Sequence, residues 1–242
     1  MFKRMIIYLF ISLFMSFIYY FSSENILLSI VVLFLFLFYF IILFDKGLRN
    51  YLLVIKKTRE CIGFINNFII NLSINKSITT TFNNLKSSFN GELIETINSV
   101  SHLGEEDIVN YLKDYFSSSL YNIFLKLLNQ FIYTGGNILN SANLLIYDSR
   151  TVEESLNNFL SIGKRKIIEF IVMWGMNFII LLILKPFLGT YYQKMTNMSL
   201  FPYGILLVFI VFLITMFLFF NHMFNLKFIN SEIKYEKNKK AN

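Results

Sequence analysis

The chain has 242 residues, of which 55% are hydrophobic and 18% aromatic, with a mean hydropathy of +0.56 and a formal net charge of +7. Soluble domains are about 45–50% apolar and rarely average above zero hydropathy, so an ordinary single soluble domain is excluded. Nucleic acid is set aside as a partner: much of the basic charge flanks apolar runs, and no basic helix with interleaved aromatics lies outside them.

The first apolar run is Met5 to Phe21. A bilayer span needs about 20 apolar residues, with about 17 as the lower limit. Lys3 and Arg4 precede the run, as in a signal peptide. Two features oppose that reading: Tyr19-Tyr20-Phe21-Ser22-Ser23 offers no small-x-small cleavage site, and a second run begins almost at once. That second run, Ile26 to Phe44, carries no charge, so Ser22 to Asn25 reads as a tight turn. Residues 1–45 are therefore expected to form a transmembrane hairpin.

Residues 46–166 read as a helical bundle of about 110 residues or a little more, with no proline. Thr58 to Ile74 brings Ile62, Ile65, Phe68 and Ile69 to one face. Glu105 to Ser117 does the same with Ile108, Tyr111, Leu112 and Phe116. In Tyr121 to Tyr133, a polar stripe of Asn122, Lys126 and Asn129 opposes a buried one of Phe124, Leu127, Leu128 and Phe131. Breaks are expected at Ser73 to Ser77, Asn90-Gly91, Leu103-Gly104 and Gly135-Gly136. Thr151-Val152-Glu153-Glu154 has the pattern of a capping box that opens a further helix.

The third run is Ile167 to Leu184, closed by Lys185-Pro186, and the fourth is Tyr203 to Phe220. Residues 167–224 form the second expected hairpin, with Tyr191, Tyr192 and Tyr203 placed for an aromatic belt. Residues 225–242 are a basic tail. Counting near the span ends, Lys3, Arg4 and fourteen further basic residues fall on one side, against Lys185 and Lys194 on the other. The positive-inside rule then puts both termini and the bundle in the cytoplasm. The fold class is thus all-α: four transmembrane helices in two hairpins around a cytosolic bundle.

Chemistry-bearing constellations are missing from the pattern. His102 and His222 have no companions at metal-ligand spacing, and Cys61 is the single cysteine. No phosphate loop, nucleophile elbow or dinucleotide fingerprint occurs, so no catalytic, cofactor or metal residue is assigned and no enzyme activity is expected. Glu105, Glu106 and Asp107 follow Gly104 and suit the exposed N–H groups of a helix start, or a docking surface for a basic partner. Glu169, near the start of the third run, stands one turn from Arg165 and Lys166 and is expected to pair with them at the interface.

Leu103-Gly104, the acidic helix start, a long apolar helix and then Thr134-Gly135-Gly136-Asn137-Ile138-Leu139 follow one another in that order. This arrangement resembles the type II secretion F domain, in the short TadB/TadC-like branch of pilus-assembly platform proteins. That family pairs a leucine-glycine turn with a later threonine-glycine-glycine-asparagine-leucine junction. Phe64 to Leu85 is similar to its opening helix pair. Two features depart from the family: Asn75 stands where it usually has glycine, and Glu153 and Glu154 stand in a helix that is ordinarily basic. The resemblance implies a non-enzymatic platform in the inner (cytoplasmic) membrane that needs no cofactor. It also implies the partners: a secretion ATPase, pilin or pseudopilin subunits, a paralogous F-domain platform protein and membrane lipid, in a homo- or hetero-oligomer. Gly104, Glu105, Glu106, Asp107, Gly135, Gly136 and Asn137 become the structural and partner-binding candidates. The alternative is a transporter or permease subunit with a cytosolic regulatory domain, although among span residues mainly Asn177 offers a polar group for a path. A lipid-modifying enzyme would need a second carboxylate or histidine beside Asp45, and the neighbouring sequence has none.

Overall fold

A computed structural model of the chain describes residues 2–86, 91–134 and 138–224. Those residues are almost entirely helical, without a strand. In chain order the helices are α1 (Phe2–Ser23), α2 (Ile26–Phe38), a π-helical turn (Tyr39–Phe44), α3 (Asp45–Asn75), α4 (Ile78–Lys86) and α5 (Glu92–Ser99). They continue with α6 (Glu105–Phe116), α7 (Ser119–Thr134), α8 (Ile138–Leu188), α9 (Thr190–Thr196) and α10 (Phe201–Phe224). Four helical stretches are long and apolar enough to cross a membrane: Lys3–Ser23, Ile26–Asn75, Ala142–Leu188 and Phe201–Phe224. The protein is accordingly a membrane protein. The chain divides into two compact units: Met1–Tyr51 with Leu160–Asn225, and Leu52–Phe159 together with the tail, which lies outside the described residues.

The first unit is apolar inside and out. Its interior is built from Tyr19, Phe36, Phe209 and their neighbours, while Phe10, Leu27, Ile168 and Leu207 are each more than 60% exposed. Such a surface suits hydrocarbon better than water, since each exposed large apolar side chain forgoes about 1.5–3 kcal/mol of burial energy in water. Glu24, with φ +56, and Asn25 form the whole connection between α1 and α2. The Asn25 side chain accepts from the Leu28 amide at 3.1 Å and caps α2. Inside the pair, the Ser16 and Ser29 hydroxyls sit 2.9 Å apart and also bond each other's backbone carbonyls, which satisfies two polar groups that lipid cannot.

Helix α10 closes on the other three. Tyr19 donates to the Pro202 carbonyl at 2.9 Å, and Phe209 packs edge-on against Tyr19 and Phe36. Pro202 occupies the first turn of α10, where its missing N–H breaks no helical bond. At the opposite end, a Cβ on Gly47 would lie 2.7 Å from the Phe224 ring, so glycine is what allows α10 to approach α3 here. Tyr51, Phe44 and Phe220 hold that ring in place.

The second unit packs an apolar centre from α3 to α8. Ile65, Phe68 and Leu72 of α3 meet Phe82, Ile97, Val109, Leu112, Tyr121 and Phe124, all nearly inaccessible. The α7 stripe is Tyr121, Phe124, Leu125 and Leu128, spaced i, i+3, i+4, i+7, with Leu127 and Phe131 half-buried on its flank and Asn122, Lys126 and Asn129 exposed.

Several expectations need correction. The helix begun at Ile26 does not stop at Phe44. It passes through one π-helical turn and runs on to Asn75, because Asp45-Lys46-Gly47 changes polarity without breaking backbone geometry. Thr151 does not start a helix: it lies within α8, its hydroxyl donating to the Tyr147 carbonyl at 3.1 Å. Tyr111 is 44% exposed, and Val109 and Tyr115 are buried instead. The stripe Ile108, Val109, Leu112, Tyr115, Phe116 leaves Tyr111 roughly 100° from its centre at 3.6 residues per turn. Asn75, which stands where the resembling family usually has glycine, is still helical, and the left-handed residue that ends α3 is Lys76, φ +54. Pro186 lies inside α8, which stops three residues later at Gly189, φ +49. Tyr192 turns inward, its hydroxyl donating to the Ser22 carbonyl, while Tyr191 and Tyr203 remain exposed.

Candidate functional site

The acidic start of α6 forms as a helix terminus. Gly104 is the N-cap, extended at φ −64 and ψ 155, and offers no side-chain cap. Glu105, Glu106 and Asp107 supply negative charge beside the unpaired N–H groups of the first turn, each worth about 0.3–1 kcal/mol when exposed. Glu105 also accepts from the Asn83 amide of α4 at 3.4 Å. A Cβ at Gly104 would meet only Asp107 Oδ2 at 3.7 Å, so sterics do not demand glycine there. Glu106 and Asp107 point to solvent, open to a basic partner. The other three candidates, Gly135, Gly136 and Asn137, lie outside the described residues, as do Asn90 and the basic tail.

A second polar cluster in this unit escapes sequence reading. Tyr115 of α6 donates to Glu60 Oε2 of α3 at 2.9 Å, with Lys57 Nζ 4.3 Å above its ring. Lys56 reaches Glu60 at 3.9 Å and Glu92 of α5 at 3.3 Å. Burial, and then the Glu60 carboxylate, push the Tyr115 hydroxyl well above its ordinary range. Only the Lys56–Glu60 spacing of i, i+4 was visible beforehand; Tyr115 and Glu92 arrive from more than 30 residues away. The cluster ties three helices together. Cys61 is buried, and burial pushes its thiol up to about 12, which makes it inert.

In the apolar unit, Asp45 stands at the end of the π-helical turn. It is held by Arg49 at 2.6 Å, by the Tyr8 hydroxyl at 3.1 Å and by Arg4 at 3.8 Å. The carboxylate is therefore engaged by basic and hydroxyl groups of α1 and α3. Glu169 pairs with Lys166 at 2.8 Å and Arg165 at 3.4 Å, the pairing its spacing predicted. Asn177 donates one amide N–H to the Met173 carbonyl of its own helix at 3.1 Å. Between α1, α8 and α10 runs an apolar groove of about 530 Å³ that includes Trp174. Among the described residues, no three His, Cys, Asp or Glu side chains gather as a metal site would require. Compared with known proteins, the chain matches no family model, no curated protein and no solved structure.

Proposed function

We propose that this chain is a platform protein of a Tad-like or type IV-like pilus or type II secretion machine, in the inner membrane with both termini cytoplasmic. In this reading α1 with α2, and the end of α8 with α10, are transmembrane hairpins, and the Leu52–Phe159 unit is a cytosolic bundle that engages a secretion ATPase. The spans then cradle pilin or pseudopilin subunits, beside a paralogous platform protein. One observation carries most of the weight. A helical unit with a closed apolar core of its own, opening α6 at Leu103-Gly104, is bracketed in sequence by two pairs of helices whose outer surfaces are largely apolar. The basic residues clustered at one set of span ends support the orientation. A transporter path finds less support, since among span residues mainly Asn177 offers a polar group, and its amide donates to its own helix.

The test uses the glycine pair of the resemblance. Gly135→Val with Gly136→Val touches no span, so normal protein level in the membrane fraction is expected together with loss of surface filaments or secretion. Wild-type filaments from that variant would reduce the junction to an ordinary helix break. Reporter fusions check the orientation: activity is expected inside after Lys240 and outside at Thr196, and the reverse pattern would remove the ATPase-facing bundle altogether.

A further inference from the structure

The groove of the apolar unit has a polar end that its lining does not reveal. Its walls are Ile7, Ile11 and Phe14 on α1 and Ile171, Gly175 and Ile179 on α8. One end is fixed by Lys185 Nζ, 2.7 Å from Glu24 Oε1. Lys3 stands 21 residues before Glu24, which directly follows α1, and Lys164 stands 21 residues before Lys185 in α8. At 1.5 Å per residue, both fall about 30 Å from it, one hydrocarbon thickness away. Each shares the groove's helical face: Lys3 is four residues before Ile7, and Lys164 seven before Ile171.

The charged residues that flank that end along α1, α3 and α8 are mostly basic: Lys3, Arg4, Lys46, Arg49, Lys164, Arg165 and Lys166, with Asp45 and Glu169 the acids among them. Arg4 and Arg49 are engaged by Asp45, and Arg165 and Lys166 by Glu169. Among the described residues, Lys3 and Lys164 have no acidic partner. The groove volume, about 530 Å³, suits a single hydrocarbon chain, taking each methylene as about the ~30 Å³ share of one water.

We propose that the groove is a binding site for an anionic phospholipid of the bilayer, one acyl chain lying between α1 and α8 and the phosphate held by Lys3 and Lys164. The inference rests on the membrane reading above. Basic pockets between helices on the cytoplasmic side are suited to such headgroups.

Trp174, the single tryptophan, lies in the groove and reports on its occupant. The full chain is reconstituted into phosphatidylcholine vesicles containing a minor fraction of phosphatidylglycerol, with bromine placed on the acyl chains of one lipid or the other. Brominated phosphatidylglycerol is expected to quench Trp174 several-fold more, per mole, than brominated phosphatidylcholine. The Lys3→Gln, Lys164→Gln double variant should lose that preference, and either single variant part of it, at most about fivefold, the weight of one basic residue near an anionic surface. Gly175→Leu, which has open space around its Cβ, should reduce quenching by both lipids. Equal quenching by the two lipids in the wild-type chain, or an unchanged preference in the lysine variant, would overturn the site while leaving the membrane reading intact. No quenching by either, with the protein still floating with vesicles, would show the groove closed by protein, a second copy included. Failure to float with vesicles would overturn the membrane reading as well.

Discussion

Lys185 Nζ and Glu24 Oε1 lie 2.7 Å apart, so the left-handed residue between α1 and α2 is tied to the last turn of α8. The same ammonium sits 4.8 Å from the Phe21 ring. Both charges are substantially exposed, 34% and 49%, so the pair is worth only about 0–1 kcal/mol. Lys185→Glu places two carboxylates together and is expected to lower the melting temperature of the detergent-solubilised chain by a few degrees. Adding Glu24→Lys should restore most of that loss. Equal destabilisation by both variants would show that the contact is not formed.

The face assignment of α7 makes a sharper prediction. Leu128 is 4% exposed within the second core, whereas Lys126 faces solvent. Leu128→Asp buries a carboxylate without a partner, at a cost of several kcal/mol. Lys126→Asp should stay within about 0.5 kcal/mol. Circular dichroism melting of the two variants separates the cases, and a collapse on Lys126→Asp alone would invert the face.

Such predictions mark where the sequence is readable. The apolar runs declare themselves because hydrocarbon imposes length and composition together. The α7 stripe does so because its spacing keeps one face on the core, and the pairing of Glu169 because its partners are three and four residues away. What was hidden depends on distance in sequence or on helix continuity. Asp45 gains Tyr8 and Arg4 from 37 or more residues upstream, and Tyr115 reaches back 55 residues to Glu60. The run from Ile26 to Asn75 changes environment at Asp45 while every residue keeps a helical backbone, and hydropathy alone marks such a change as an end. Of the candidate site, the acidic start of α6 forms as expected at Gly104, whereas Gly135, Gly136 and Asn137 lie outside the described residues.

Alkaline pH should destabilise the central core. The Cys61 thiol rises from about 9 to about 12 through burial, and burial also raises the hydroxyls of Tyr115 and Tyr121. In each case the folded value exceeds the unfolded one. The stabilisation is therefore complete below pH 9 and is lost as pH climbs toward 12, as the unfolded chain releases protons first. Melting temperature should be flat from pH 7 to 8.5 and fall steeply above it. At pH 8, native Cys61 should react with a thiol reagent about a thousandfold more slowly than in urea, following its thiolate fraction. Rapid native labelling would contradict its burial.

Capture of the host's secretion ATPase by the immobilised full-length chain in detergent tests the platform assignment most directly. Retention of the ATPase by the wild-type chain is expected, with loss of retention in Leu128→Asp, whose bundle is disrupted, and undiminished retention in Lys185→Glu, whose change lies in the other unit. A wild-type chain that is folded and membrane-inserted yet retains none of the ATPase would contradict it.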